Sequence, residues 1–342
     1  MSGHKDVKAN IKAVVLGTGI MGSGIAAGFA AGGAQVVLLG RTAERSNTAC
    51  AKATAFAREL SGAAEAGATA VTGGLINRWN DWDNVGIVIE TVARDLALKQ
   101  ALFAQLDARV PAGVPIGSNS SGFPISTIAA GLKTASRMFG MHYFMPAHVV
   151  PLVEVVMGAT SDAALGSKVC ELFTATGKKP VLVKKNIPDF LANRIQHALM
   201  REALSLIDAG IASPEDVDLA VRYSFGFRYA AVGPILQKEI SGWDTVRSAA
   251  QAIYPSLSNT AAVPQCLEQM VGRGQTGMNS GHGGFSPGRQ RRSRTPNAVT
   301  RRSWPPRLQF CKATARIASI AALARKRSTH GERVWQASGA PP

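Results

Sequence analysis

The sequence is poor in cysteine, in aromatic side chains and in uninterrupted apolar stretches, and each shortage excludes something. Four cysteines, Cys50, Cys170, Cys266 and Cys311, are spread over 342 residues with no CxxC and no histidine at ligand spacing. They make neither a disulfide framework nor a zinc site, and this usage favours a reducing compartment. The start, MSGHKDVKANIK, lacks the apolar stretch and small-residue cleavage site of a signal peptide, so a cytoplasmic location is the expectation. The uncharged run over 13–40 is long enough to resemble a membrane span, but it contains eight glycines. It reads instead as strand, turn, helix and strand, and no membrane partner is expected. Acidic residues are also scarce, 22 against 38 Lys plus Arg, for a net charge of +16. Residues 285–342 hold 13 basic side chains and one acid, Glu332, so +12 of that charge lies there and only +4 in 1–284. The first 284 residues are therefore not those of a basic protein. Little aromatic interleaving in the tail supports a nucleic-acid partner, and none is expected.

What is present suffices for a folded chain. Apolar residues make up 46% and charged ones 18%, and the length suggests two domains. Short apolar runs at 12–16, 35–39, 86–90, 114–118, 137–141, 152–156 and 180–183 read as strands. Helical patterns alternate with them, one carried by Leu98, Leu102, Leu106 and Val110, another over 167–176. Alternation of this kind predicts an α/β domain over 1–185 with a mainly parallel sheet. The strand-like runs then stop. A long helix is predicted over 191–209, closed by Gly210, and Ser213 caps the next one with Pro214 in its first turn. Residues 186–284 thus read as an all-α C-terminal domain and 285–342 as a basic, disordered tail.

Gly17, Thr18, Gly19, Ile20, Met21 and Gly22 form GxGxxG between a strand and a helix. Gly17 allows a tight turn, Gly19 lets a pyrophosphate approach the backbone, and Gly22 allows close helix–strand packing. A dinucleotide site is the prediction. The second strand ends in Gly40 and Arg41 with no acid to hold a free ribose 2′-hydroxyl. Arg41 is then either a contact for the 2′-phosphate of NADP or a solvated loop residue. His142 closes one strand-like run and Glu154 sits inside another. A buried strand carboxylate needs a partner, and the two read either as a structural pair or as an oriented acid–base couple. Residues 118–121, SNSS, follow a further strand and read as turn chemistry or as part of a ligand site.

Taken together, the glycine motif, SNSSG at 118–122, MHYFMPAHVVPLVEVV at 141–156 and IPDFLANR at 187–194 resemble the L-3-hydroxyacyl-CoA dehydrogenase family over about residues 10–282. FGFRYA at 225–230 with Gly233 and Pro234 is closer to its lambda-crystallin and L-gulonate dehydrogenase branch. The resemblance implies a Rossmann-type domain followed by a helical domain that forms a homodimer, with NAD as cofactor. It implies His142 as the general base for a 3-hydroxyl, Glu154 as its partner, and Ser121 and Asn193 as hydrogen-bond partners of the substrate oxygen. Lys99 and Ser121 are placed on the cofactor side.

The chain departs from that family at Gly40, where an acid is the rule, at Arg94, which replaces an acid, and at Met145, which replaces an asparagine. The segment between Arg41 and Val85 is also short for a CoA contact. Arg228 is then either a binder of a free carboxylate or a structural ion-pair residue. After Gly284 the likeness ends, and an Arg, Ser, Pro and Ala mixture follows, as a shifted frame of a GC-rich gene would give. The resemblance implies an enzyme of fatty acid metabolism that converts an L-3-hydroxyacyl-CoA to the 3-ketoacyl-CoA. The alternatives are a dehydrogenase of a free 3-hydroxy acid such as gulonate or carnitine, a non-catalytic dinucleotide-binding protein, and a nucleic-acid binder acting through 289–327.

Overall fold

The computed structural model describes residues 11–61, 70–277 and 284–285. The chain divides into two compact units after Ile195. In the first, the elements run β1 (Lys12–Leu16), α1 (Ile20–Ala31), β2 (Gln35–Gly40), α2 (Ala43–Ser61), β3 (Val71–Leu75), β4 (Val85–Glu90), α3 (Leu96–Arg109), β5 (Ile116–Ser118) and α4 (Ile125–Ile128). They continue with β6 (Met138–Tyr143), β7 (Leu152–Met157), α5 (Ala163–Ala175) and β8 (Lys179–Val183). The eight strands lie side by side in the order β3-β2-β1-β4-β5-β6-β7-β8. Every neighbouring pair is parallel except β6 and β7. The expected mainly parallel α/β architecture is what forms.

Alternation along the strands divides the core in two. Ala13 and Val15 of β1 join one apolar cluster with α1, α2 and α5, while Val14 and Leu16 join the other with α3 and α4. Helix α1 is apolar all round and buried continuously from Gly22 to Ala30, which suits a helix covered on all sides. It ends where Gly33 takes a positive φ of 89° and Ala34 N–H bonds back to the carbonyl of Phe29.

Strand β3 has no apolar alternation to announce it. It reads VTGGL, only Val71 is buried, and it forms because the backbone of this edge pairs with β2. A Cβ at Gly73 would sit 2.7 Å from Ser46 Oγ of α2, so the glycine lets that helix close on the strand.

The consecutive strands β1 and β2 lie to one side of β4, and β5 to β8 lie to the other. Ligands in such sheets gather where the order reverses, at the carboxyl ends of the strands. The loops there are 17–19 after β1 and 91–94 after β4.

The division between the units falls within α6 (Ala192–Asp208). The second unit continues with α7 (Pro214–Tyr223), α8 (Phe225–Tyr229), α9 (Pro234–Ser241), α10 (Trp243–Ile253) and α11 (Gln265–Gly272). Gly210 has φ 65°, and Ser213 caps α7 by accepting from Asp216 N–H at 3.1 Å. Asp208 accepts from the backbone amides of Gln265 and Cys266 at 2.9 and 2.7 Å, fastening the start of α11 to the end of α6. Among the described residues no helix is long and apolar enough to cross a membrane. Beyond Phe285, the basic tail lies outside the described residues.

Candidate active site

Two cavities open at the carboxyl ends of the strands, and Thr91 and Val92 line both. The larger, about 630 Å³, is lined by Gly17, Thr18, Gly19, Gly40, Arg41 and Arg45 among others. Gly17 adopts φ 114°, and a Cβ there would lie 2.4 Å from Thr91 Oγ1. At Gly22 a Cβ would come within 1.9 Å of the Gly17 carbonyl oxygen, so the helix can pack on the turn only without a side chain. Gly19 differs: nothing lies within 4 Å of its Cβ position. It also begins α1 with no side-chain cap, and the first turn holds no acid. Free amide donors beside open space fit the pyrophosphate of a dinucleotide.

A Cβ at Gly40 would meet Thr18 Cγ2 at 2.8 Å and the Ser46 backbone nitrogen at 3.3 Å. Close packing therefore leaves no room for the acid usual at this place. Arg41 and Arg45 are exposed at the same rim. Of the other residues expected at the cofactor, Met21, Lys99 and Ser121 line the second cavity, Ile20 is 54% exposed, and Gly22 forms the turn contact.

The second cavity, about 320 Å³, contains His142 together with Asn119, Ser120, Ser121, Lys99 and Arg94. His142 and Glu154 are direct partners in the antiparallel register of β6 and β7, which places their side chains on one face of the sheet. His142 Nδ1 lies 2.8 Å from Glu154 Oε2. A carboxylate accepts only, so Nδ1 is the donor in this contact and Nε2 is the ring nitrogen left for proton exchange. Phe144 and Phe190 flank the imidazole at ring distances of 4.6 and 5.3 Å.

Glu154 is fully buried, and its second oxygen accepts from the amides of Leu191 and Ala192 at 3.0 and 2.7 Å. Asp189 and Phe190, at φ 57° and 55°, make the turn that presents those amides. Burial pushes the Glu154 carboxyl up, but the bond from His142 and those from Ala192 and Leu191 outweigh it and hold the group below the usual carboxylate range. Asn193 follows directly in the chain and is half-buried, but it is not among the residues lining the His142 cavity. Arg228 lies in the second unit, exposed on α8.

Three features are not legible in the sequence. Glu90, fully buried at the end of β4, binds Lys99 Nζ at 2.6 Å through one oxygen and accepts from Ser118 Oγ at 2.6 Å through the other. Asn119 Oδ1 accepts from Tyr143 N–H at 2.8 Å and so ties the loop after β5 to the strand bearing His142. Arg94 Nη2 donates to Ser121 Oγ at 3.4 Å. The one available signal was a charged residue closing an apolar strand, nine positions before a lysine on an otherwise apolar helix face. Among the described residues no three His, Cys, Asp or Glu side chains gather to hold a metal.

Comparison with known proteins agrees with this geometry. Residues 12–187 match the family described as 3-hydroxyacyl-CoA dehydrogenase, NAD binding domain, and 190–286 match its C-terminal domain. The 5-formyl-3-hydroxy-2-methylpyridine 4-carboxylate 5-dehydrogenase of Mesorhizobium japonicum is 29% identical over 278 residues, 79% of this chain and 89% of that protein. The 3-hydroxybutyryl-CoA dehydrogenase of Mycobacterium tuberculosis is 31% identical over 283 residues, 80% of this chain and 96% of that protein. A solved structure of 5-formyl-3-hydroxy-2-methylpyridine 4-carboxylic acid 5-dehydrogenase, described as an NAD⁺-dependent dismutase, overlays with a TM-score of 0.73 at 26% identity. It covers 92% of this chain and 98% of its own. The chain belongs to the 3-hydroxyacyl-CoA dehydrogenase family, NAD-dependent dehydrogenases that act on a CH–OH group.

Proposed function

We propose that the protein oxidises the 3-hydroxyl of an L-3-hydroxyacyl substrate, with His142 as the acid–base group. The observation that carries this reading is the His142–Glu154 pair, set in strand register, with His142 lining a cavity that shares Thr91 and Val92 with the one at the glycine turn. When bound, NAD supplies the hydride acceptor for C3. His142 Nε2 takes the hydroxyl proton, so that C3–O becomes a carbonyl as the hydride leaves. Glu154 holds the Nδ1 proton and fixes the ring, and its charge faces the imidazolium that forms. Ser121, which lines the same cavity as His142, positions the substrate oxygen, a role that the family resemblance also gives to Asn193 at the start of α6.

The direct test follows nicotinamide absorbance with NADH and, in turn, acetoacetyl-CoA and acetoacetate. Turnover is expected, and no turnover with any 3-keto compound would remove the reading. A second reading, a free hydroxy acid as substrate, is favoured by Arg94 in the same cavity and by the free carboxylate in the name of the Mesorhizobium relative.

At the other end of the dinucleotide, Gly40 places no carboxylate that would repel a 2′-phosphate and Arg41 and Arg45 supply charge for it, so NADP is accepted beside NAD. Replacing both arginines with alanine is expected to weaken NADPH about tenfold, as one or two exposed charge contacts would. NADH binding should stay within about twofold. Fluorescence titration of each nucleotide reads this without turnover, and equal losses would show that the arginines do not face the 2′ position.

The domain over 186–284 assembles as a homodimer. In the second unit Ile211, Tyr223, Phe227, Ile235 and Tyr254 are 68–75% exposed, more apolar surface than a monomer usually leaves to water. Sedimentation should give twice the chain mass of 35.8 kDa, and a monomer at micromolar concentration would refute the dimer.

A further inference from the structure

We infer that Arg94 binds a carboxylate of the substrate, so that the compound oxidised at His142 is a small hydroxy acid carrying its own negative charge. The inference rests on the reading of His142 as the acid–base group and adds the chemical class of the substrate.

The charges around the cavity lead to it. Lys99 is neutralised by Glu90 at 2.6 Å, and His142 faces Glu154 at 2.8 Å. Arg94 lines the same cavity, and among the described residues no acidic side chain pairs with it. Its neighbour Asp95 is turned to another task, accepting from Leu98 N–H at 3.0 Å as the cap of α3. Arg94 is exposed, and among the described residues its guanidinium has one partner, the neutral Ser121 Oγ at 3.4 Å, so most of its five donors are open to water or to a ligand entering the cavity.

An exposed guanidinium at the lining of a ligand cavity can exchange its water for a planar anion, which it binds through two parallel N–H···O bonds. The dinucleotide phosphates have their own donors at the uncapped start of α1, in the other cavity. A thioester carbonyl is neutral and offers no anion near the reacting carbon. A free carboxylate does, two carbon–carbon bonds from C3 of a 3-hydroxy acid. Ser121, bonded to Arg94, lines the same cavity as His142, so the guanidinium would hold the carboxylate while Ser121 and His142 serve the hydroxyl.

The test compares acetoacetate with acetoacetamide, which match in size and differ in charge, using the full chain and NADH. Arg94→Gln should lower the acetoacetate-to-acetoacetamide ratio of kcat/KM about a hundredfold, and Arg94→Lys should restore part of it. Binding is read separately by calorimetry, titrating acetoacetate into the NAD⁺-loaded protein, where no hydride can move. The same hundredfold weakening is expected there. Equal losses for acid and amide, a raised KM for NADH with both, or acetoacetate binding that ignores Arg94 would each overturn the inference. Arg94-dependent binding without reduction of acetoacetate, acetoacetamide or acetoacetyl-CoA would support the carboxylate site and refute the dehydrogenase reading.

Discussion

Turnover in a His142→Gln variant should fall by about 10²–10⁴-fold, the range for losing a general acid–base group, while dinucleotide binding is kept. The two effects separate because His142 lines only the smaller cavity, and Gly17, Gly19 and Arg41 lie in the larger one. Gln keeps much of the volume between Phe144 and Phe190 but has no atom that can accept and return a proton at neutral pH. Glu154→Gln should cost less, about 10–100-fold, because the base remains and only its orientation and countercharge change. Stopped-flow measurement of NADH oxidation with acetoacetyl-CoA or acetoacetate, paired with NADH fluorescence titration, checks both variants. Wild-type turnover in His142→Gln would remove the role assigned to this residue. Loss of nucleotide binding along with turnover would instead indicate a collapsed site.

How much of this was readable beforehand depended on whether a residue acts through the backbone or through a distant partner. Gly17, Gly19 and Gly22 declared themselves because a tight strand-to-helix turn has few solutions, and the structure fills each role by φ, open space or close packing. Gly210 and Ser213 were legible for the same local reason. The His142–Glu154 contact depends on a register between two antiparallel strands, and a slip of one residue would have turned the carboxylate to the other face. Composition does not encode that register; the resemblance of the whole 141–156 segment suggested it. Strand β3 escaped because backbone pairing, not apolar side chains, holds it. The freedom of Arg94 could not be read at all, since it depends on which acids are engaged elsewhere in the fold.

Lys99→Met should be the most destabilising single change, costing about 3–5 kcal/mol, because it strands a carboxylate in the core. Glu90 is fully buried and Lys99 is 2% exposed. Without the ammonium, Glu90 retains only the Ser118 hydroxyl and the Val92 amide as partners. In a unit of this size the melting temperature should drop on the order of 10 °C. The double variant Glu90→Gln, Lys99→Met should recover most of the loss, since a neutral pair needs no countercharge. The same two variants resolve what Lys99 does for the cofactor. Its Nζ also donates to the Val92 carbonyl at 3.3 Å, bracing the loop after β4 that lines both cavities. If bracing is its whole role, the double variant should regain nucleotide affinity together with stability. If the ammonium itself touches the nucleotide, stability should return while affinity stays low. Thermal unfolding and NADH titration on the same samples separate these outcomes, and full stability in Lys99→Met would contradict the burial argument.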